Sequence, residues 1–171
     1  MRNGWFAVVA LNPDRPGVFY YERNTKMTTK QEFDIPPEKL LELFLVDTSH
    51  ESRWQFAEYY PADRLPEFGR RLLADCSADV RWRFARRCPS DRLVEFGEKL
   101  VADTDAGVRW EFVHRCPADQ LPEYGNQLLA DDDWTVRYEF ACRCPSDRLQ
   151  EFAYRLRDDA EWLVRRRCPK A

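Results

Sequence analysis

Residues 75–102 read DCSADVRWRFARRCPSDRLVEFGEKLVA, and residues 103–130 read DTDAGVRWEFVHRCPADQLPEYGNQLLA. The two stretches place Asp, Val-Arg-Trp, Phe, Arg-Cys-Pro, Leu and Gly at the same positions, so they are two copies of one 28-residue unit. The same step relates Pro61, Pro89, Pro117 and Pro145, and it relates Arg53, Arg81, Arg109 and Arg137. A fixed period of this kind is typical of an array of stacked helical repeats, in which each unit contacts only its neighbours.

Each unit carries two apolar patterns of helical period. The first is a stripe at i, i+3, i+4, i+7 and i+8, formed by Leu93, Phe96, Gly97, Leu100 and Val101. This spacing predicts a helix, and Asp91 before the stripe is predicted to be its N-cap. Pro66 and Pro122, in the first turn of the equivalent helices, fit that assignment because their missing N–H has no helical partner there.

The second pattern runs through Asp79–Cys88. Val80, Phe84 and Cys88 are four residues apart and share one face, and Pro89 is expected to end the helix. A pair of short helices cannot bury its apolar faces alone, so the units are predicted to stack. The sequence thus predicts a mainly α fold, a right-handed α-solenoid of 28-residue helix-pair repeats.

Two regions follow from this reading. Residues 1–35 are predicted to form a small β-hairpin cap and a connector, because the β-branched and aromatic runs 5–11 and 18–23 flank the turn sequence NPDRPG. Residues 36–171 are predicted to form the repeat array, beginning with a helix over 37–46. The predicted units are 47–74, 75–102, 103–130, 131–158 and a truncated 159–171.

The motifs Asp-x-x-x-x-Val-Arg, Phe-Ala-x-Arg-Cys-Pro and Leu-x-x-Phe/Tyr-Gly-x-x-Leu-Leu resemble those of HEAT-like repeats. They also resemble the leucine-rich variant (LRV) repeats of bacteria. The resemblance covers residues 36–171 and is informative about architecture rather than activity. In HEAT-like arrays, the helix equivalent to Asp79–Cys88 lines the concave surface, and the resemblance implies the same place for it here.

Composition and charge narrow the classes of function. The net charge is −3 with both signs interspersed, which disfavours a dedicated nucleic-acid-binding protein. Only two histidines occur, and no nucleotide-binding, nucleophile or paired metal motif is present, so neither an enzyme nor a bound cofactor or metal is predicted. No apolar run approaches the roughly 20 residues of a membrane span. The regularly spaced cysteines indicate a reduced, cytoplasmic chain whose thiols serve packing.

The candidate binding site is a row of aromatic residues at one repeat position, which we call the aromatic row: Trp54, Trp82, Trp110 and Tyr138. With Val80 at 0° and about 100° per residue, Trp82 falls at about 200°, opposite the apolar stripe. The predicted site also includes the polar neighbours Arg83, Arg86 and His114. The alternative is that each ring packs against the next unit and belongs to the core.

The leading functional prediction is a non-catalytic module that binds a protein partner on the aromatic row, since Trp, Tyr and Arg dominate interface hot spots. The alternative is nucleic-acid binding or repair, with Trp54, Trp82 and Trp110 stacking on bases and Arg83 and Arg86 on phosphate. Self-assembly through the ends of the array is a third possibility. The ladder of arginines at 53, 81, 109, 137 and 165 is predicted to bond aspartates of adjacent turns and to be structural.

Overall fold

A computed structural model describes residues 9–11, 19–21, 36–46 and 49–169. Strands Val9–Leu11 and Phe19–Tyr21 pair antiparallel, with Val9 opposite Tyr21 and Leu11 opposite Phe19. The predicted turn between them and the connector over 24–35 lie outside the described residues. An N-terminal helix, Pro37–Val46, follows at the position that the sequence predicts.

Four ten-residue helices, called the long helices, are the main recurring elements of the array. They are His50–Tyr59, Ala78–Arg87, Ala106–Arg115 and Trp134–Arg143. A shorter helix, Trp162–Arg165, begins at the equivalent position of the last unit. Each long helix packs against the next, and the first packs against the N-terminal helix. The chain is therefore mainly helical, and equivalent helices recur in step with the prolines.

The long helices begin and end where short-range chemistry dictates. Asp105 accepts a hydrogen bond from the backbone N–H of Val108, and Asp133 accepts one from that of Thr135, so both act as N-caps. At the other end each helix stops one residue before a Cys-Pro or Tyr-Pro pair, because the residue before proline avoids the helical region.

The connecting segments between long helices differ from the prediction. They are helical but broken, each combining a 3-10 turn with short α-helical pieces: Leu65–Phe68 and Gly69–Leu72; Ser90–Leu93, Val94–Phe96 and Gly97–Val101; Leu121–Tyr124 and Gly125–Leu128; Ser146–Leu149, Gln150–Phe152 and Ala153–Arg157. The predicted N-cap role of Asp91 is wrong: Pro89 is the N-cap, and Asp91 lies in the first turn.

In the first three segments, an aromatic ring from the following unit lies against the glycine that follows the 3-10 turn, whereas the fourth segment has Ala153 at this position. A Cβ added to Gly69 would lie 2.3 Å from the Phe96 ring, and one added to Gly97 would lie 2.1 Å from the Tyr124 hydroxyl. Gly125 receives Phe152 in the same way. Only a residue without a side chain allows this approach, so each glycine is a socket for its neighbour's ring.

The core is one continuous cluster that runs through all the described units. In each unit a phenylalanine of the long helix, such as Phe84, meets the inserted ring edge-on, with the Phe84 and Phe96 centroids 5.0 Å apart. Cys88, Cys116 and Cys144 are buried beside these rings and unpaired. Their predicted packing role is confirmed, and Tyr60, also fully buried, takes the same place in the first unit.

The arginine ladder joins adjacent turns, as predicted. Arg81 donates through Nε and Nη2 to both carboxylate oxygens of Asp103, at 2.7 and 2.8 Å, and through Nη1 to the backbone oxygen of Asp75 at 2.8 Å. Arg53, Arg109 and Arg137 bind Asp75, Asp131 and Asp159 equivalently. These planar, two-pronged contacts fix the rotation of one unit against the next.

A second set of arginines satisfies the C-terminal carbonyls of the long helices. Arg87 donates to the backbone oxygen of Tyr60, Arg115 to that of Cys88 and Arg143 to that of Cys116, each one unit back. The last carbonyls of a helix have no partner within the helix, so these bonds replace water at the junction between units.

Among the described residues, every helix is too short or too polar to span a lipid bilayer.

Candidate functional site

The aromatic row lies along one face of the array. The burial of its rings is intermediate between the two alternatives that the sequence leaves open, an exposed binding surface and a packed core. Trp54, Trp82, Trp110 and Tyr138 are all half-buried: each packs against the core and keeps part of its ring accessible. The rings are neither free platforms nor core residues. A polar side chain also contacts each ring, in most cases from the next unit.

Between the first two units, Arg83 sits over the Trp54 ring. Its guanidinium carbon is 4.3 Å from the ring centroid, within the range of a cation–π contact. Nη1 of the same guanidinium donates to the Glu58 carboxylate at 2.5 Å, and Nε donates to Asp79 at 3.3 Å. Arg83 is therefore occupied by its neighbours, and its side chain is only 18% exposed.

Between the second and third units, an acid takes the place of Arg83. Glu111 is 5% exposed, and its carboxylate lies close to the side chain of Trp82. Burial raises the pKa of the Glu111 carboxyl above its ordinary range, while the charges of His114 and Arg86 and the nearby Trp82 side chain oppose the rise. Arg86 itself is exposed and lies 5.0 Å from the centroid of Trp82.

Between the third and fourth units, His114 links two partners. Its ring stacks on Trp110 with centroids 4.8 Å apart and planes 10° from parallel, and its Nδ1 lies 2.9 Å from the Glu139 carboxylate. The stacking leaves the imidazole half exposed. His114 is thus both a cover for the indole and the partner of an acid in the next unit.

Between the fourth unit and the last helix, Arg167 takes the place that Glu111 and Glu139 hold at the two preceding boundaries. Nε of Arg167 donates to the Cys142 thiol at 3.1 Å, and its guanidinium lies 5.7 Å from the centroid of Tyr138. A hydrogen bond with Cys142 raises the pKa of Tyr138, whereas the charges of Arg167 and Arg166 oppose that rise. No carboxylate of the described residues lies within ion-pair distance of Arg167.

The polar neighbours of the aromatic row therefore form pairs across unit boundaries, which we call the inter-unit pairs: Glu58 with Arg83, Arg86 with Glu111, His114 with Glu139, and Cys142 with Arg167. The sequence predicted Arg83, Arg86 and His114 as polar neighbours of the aromatic row at the binding site. It did not predict that they pair with Glu58, Glu111 and Glu139. The sequence does contain a signal for this pairing. The two residues of each pair are 25 positions apart, and the charge at one position changes together with the charge at the other.

Most other charged positions and the thiols behave as solvent-facing or packing groups. Glu67, Glu95, Glu123 and Glu151 are exposed. Burial raises the pKa of the Cys88 and Cys116 thiols to about 12, and that of Cys144 to about 11, so these thiols stay protonated and inert at neutral pH. Across residues 36–46 and 49–169, no group of three or more His, Cys, Asp or Glu side chains could hold a metal ion.

Recurring long helices, glycine sockets and inter-unit pairs define a helical-repeat protein. Among solved structures, the chain is similar to one described as a leucine-rich repeat variant with a novel repetitive protein structural motif, with 30% identity and a TM-score of 0.58. The match covers 77% of this chain and 49% of that one, so the chain spans about half the length of that structure. The chain has an LRV-like helical-repeat fold. No protein-family model and no curated protein matches it.

Proposed function

We propose that the chain is a non-catalytic module that binds a protein partner along the aromatic row and its polar neighbours. The observation that carries the proposal is the half-buried state of four aromatic side chains on consecutive helices. Rings held by packing on one side and accessible on the other lose little conformational entropy when they bind, which is the usual character of an interface anchor.

The proposal includes an overall shape. The units would follow one another as a right-handed solenoid, with the long helices on the concave side and the residue 1–35 segment as a cap on the first unit. Residues 36–171 would then form one continuous array. The six unpaired cysteines suit a reducing compartment, and a cytoplasmic location is proposed for that reason.

A protein partner fits the charge of this face better than a nucleic acid does. Arg83, the basic residue closest to the row, is neutralised by Glu58 and Asp79. Glu111 and Glu139 occupy the equivalent positions in the next two units, where they would repel phosphates. The middle of the row therefore carries no run of free positive charge.

Affinity capture with matched variants tests the proposal. Trp82→Ala combined with Trp110→Ala should lose the partner that the wild-type chain captures, whereas Tyr154→Ala should keep it, because Tyr154 lies on a connecting segment and is exposed. The captured partner is then titrated in purified form by calorimetry. Circular dichroism and thermal melting establish that both variants fold. A folded double variant with unchanged affinity would refute the proposal.

A further inference from the structure

Two exposed tryptophans lie on the last two helices at equivalent positions. Trp134 and Trp162 begin their helices and are 40% and 50% exposed. The same position is alanine in the second and third units, at Ala78 and Ala106. Since two units fold with a methyl group there, packing of the array does not require an indole at this position.

Unpaired positive charge adjoins these indoles. The guanidinium of Arg166 lies 5.4 Å from the centroid of Trp162, and that of Arg167 lies 5.7 Å from the centroid of Tyr138. Tyr138 in turn is 6.4 Å from Trp134, so Trp134, Tyr138 and Arg167 form one group, and Arg166 is close enough for its charge to act on Tyr138. In the described part of the chain, neither arginine has a carboxylate within 4.0 Å.

This arrangement departs from the rest of the face in one respect. The first inter-unit pair couples a base to an acid, as does the third when His114 is protonated, and in the second Arg86 acts on Glu111 through its charge. In the last unit Arg166 takes the place of the aromatic residue Tyr138, and Arg167 takes the place of Glu139. The partner of Arg167 is the neutral Cys142 thiol. The charge pairing therefore ends here, and two cations face solvent.

We infer that the patch formed by Trp134, Tyr138, Trp162, Arg166 and Arg167 binds a short acidic segment of a partner protein that carries at least one aromatic or large aliphatic side chain. The inference rests on the proposed function and places the strongest contact at the C-terminal end of the face.

The chemistry of the five side chains defines this ligand. The Arg166 guanidinium over the Trp162 ring can bind a carboxylate through its N–H edge in two-pronged geometry, and Arg167, whose Nε donates to Cys142, can do so through its two Nη groups. The two exposed indoles supply apolar area for a neighbouring side chain of the same segment. A nucleic-acid strand would repeat its charge at every nucleotide and extend towards Glu139 and the other acids of the fourth unit, which disfavours it.

A phage-displayed library of random dodecapeptides, selected on the full chain, tests the inference. Peptides enriched on the wild-type chain should combine Asp or Glu with Phe, Tyr, Trp or Leu. The charge-reversed variant, Arg166→Glu with Arg167→Glu, should instead enrich Lys and Arg. Enrichment without acidic residues, no enrichment at all, or the same peptides from both chains would each overturn the inference.

Titration of the most enriched peptide, labelled with fluorescein, locates its site. Affinity should fall about tenfold or more in Trp162→Ala and in Arg166→Gln with Arg167→Gln, which is the range expected for interface anchors. Arg148→Gln is the matched control, because Arg148 is exposed on a connecting segment and should leave affinity unchanged. The variant Arg166→Gln with Arg167→Gln keeps all the aromatic side chains, so the test does not depend on whether Trp162→Ala folds.

Two further outcomes separate this inference from the proposed function. Loss of the peptide in Trp82→Ala with Trp110→Ala, together with retention in the arginine variant, would place the contact in the middle of the row and refute only the inference. A labelled random single-stranded DNA dodecamer that binds more tightly than the peptide, and loses affinity in the arginine variant, would also overturn it by assigning the patch to nucleic acid.

Discussion

At the scale of single residues, the sockets at Gly69, Gly97 and Gly125 are the tightest contacts between units. Gly97→Ala should lower the free energy of unfolding by about 1–3 kcal/mol, because the Tyr124 ring already occupies the place of the new methyl group. The helix propensity of alanine, worth up to about 1 kcal/mol over glycine, works in the opposite direction and is the smaller effect. Urea unfolding followed by far-ultraviolet circular dichroism measures the change.

The control for this substitution lies in the fourth unit. Ala153 occupies the position that glycine holds in the three units before it, and Ala153→Gly should cost only the lost helix propensity, about 0.5–1 kcal/mol. In a Tyr124→Ala background the socket is empty, so Gly97→Ala should no longer destabilise. A Gly97→Ala chain as stable as wild type would mean that Tyr124 moves aside freely and that the socket does not restrict the neighbouring unit.

Glu111 gives a residue-scale prediction of opposite character. Because burial raises the pKa of Glu111 in the folded chain, ionisation of this carboxyl opposes folding. The protonated Glu111 carboxyl favours folding over the ionised form. This contribution to stability is present below the unfolded pKa of about 4.3 and is lost as the pH rises through the folded pKa. Glu111→Gln keeps the shape of the side chain but removes its charge, and it should therefore raise the free energy of unfolding at pH 7 but not at pH 3.5.

The matching measurement is a pair of urea titrations at each pH, with Glu123→Gln as the control because Glu123 is exposed. Glu123→Gln should change stability little at either pH. If Glu111→Gln destabilised the chain at pH 7, the charge attraction between Glu111 and Arg86 would outweigh the burial of the carboxylate, and the inter-unit pair would be a net stabiliser.

At the scale of elements, the long helices were predictable from sequence and the connecting segments were not. The stripe of Val80, Phe84 and Cys88, closed by Pro89, depends on local spacing and on the geometry of proline, and the structure matches it to within a residue. The stripe through Phe96 and Gly97 does not predict the 3-10 turn that ends at Phe96. Nor does it predict that the Tyr124 ring of the next unit lies against Gly97, because a single-helix pattern contains no contact between units. For the same reason a helical wheel placed Trp82 opposite the core but could not show that Glu111 would cover it.

The arginine–aspartate contacts give a prediction for the turns. Burial acts to raise the pKa of Asp159, but hydrogen bonds from Arg137 and from the backbone of Glu161, and the charges of Arg137 and Arg165, lower it on balance. The stabilisation is therefore complete above the unfolded pKa of about 3.9 and is lost as the pH falls through the folded pKa. Arg137→Met should cost about 3 kcal/mol at pH 7, because it leaves a buried carboxylate without its cation.

The pH dependence distinguishes this ion pair from simple packing. The difference between wild type and Arg137→Met should shrink as the pH is lowered below about 4, since a protonated Asp159 no longer needs the guanidinium. Arg148→Met, which removes an exposed ion pair with Glu151, is the control and should change stability little at any pH. A constant difference across the titration would assign the effect to lost side-chain contacts.

At the scale of the whole molecule, the inter-unit pairs give each boundary its own chemistry, although the units share one backbone plan. An acid faces a base at the first boundary, a base and an indole face an acid at the second, and an imidazole faces an acid at the third. A unit moved to another boundary would therefore meet the wrong charge. Identical units could stack in any order, so these differences favour a single register among near-identical repeats.

A linear array in which each unit touches only its neighbours should also open from its ends. The short helix Trp162–Arg165 has neighbours on one side only among the described residues, and Arg137 and Arg165 hold its turn through Asp159. Native-state hydrogen exchange should show Arg137→Met accelerating exchange in residues 146–165 while Ala106–Arg115 keeps wild-type protection. Arg81→Met, at an interior boundary, should accelerate exchange on both sides of that boundary. Equal acceleration throughout the chain in both variants would show that the array unfolds as one cooperative block, and nearest-neighbour coupling would then be the wrong description of this protein.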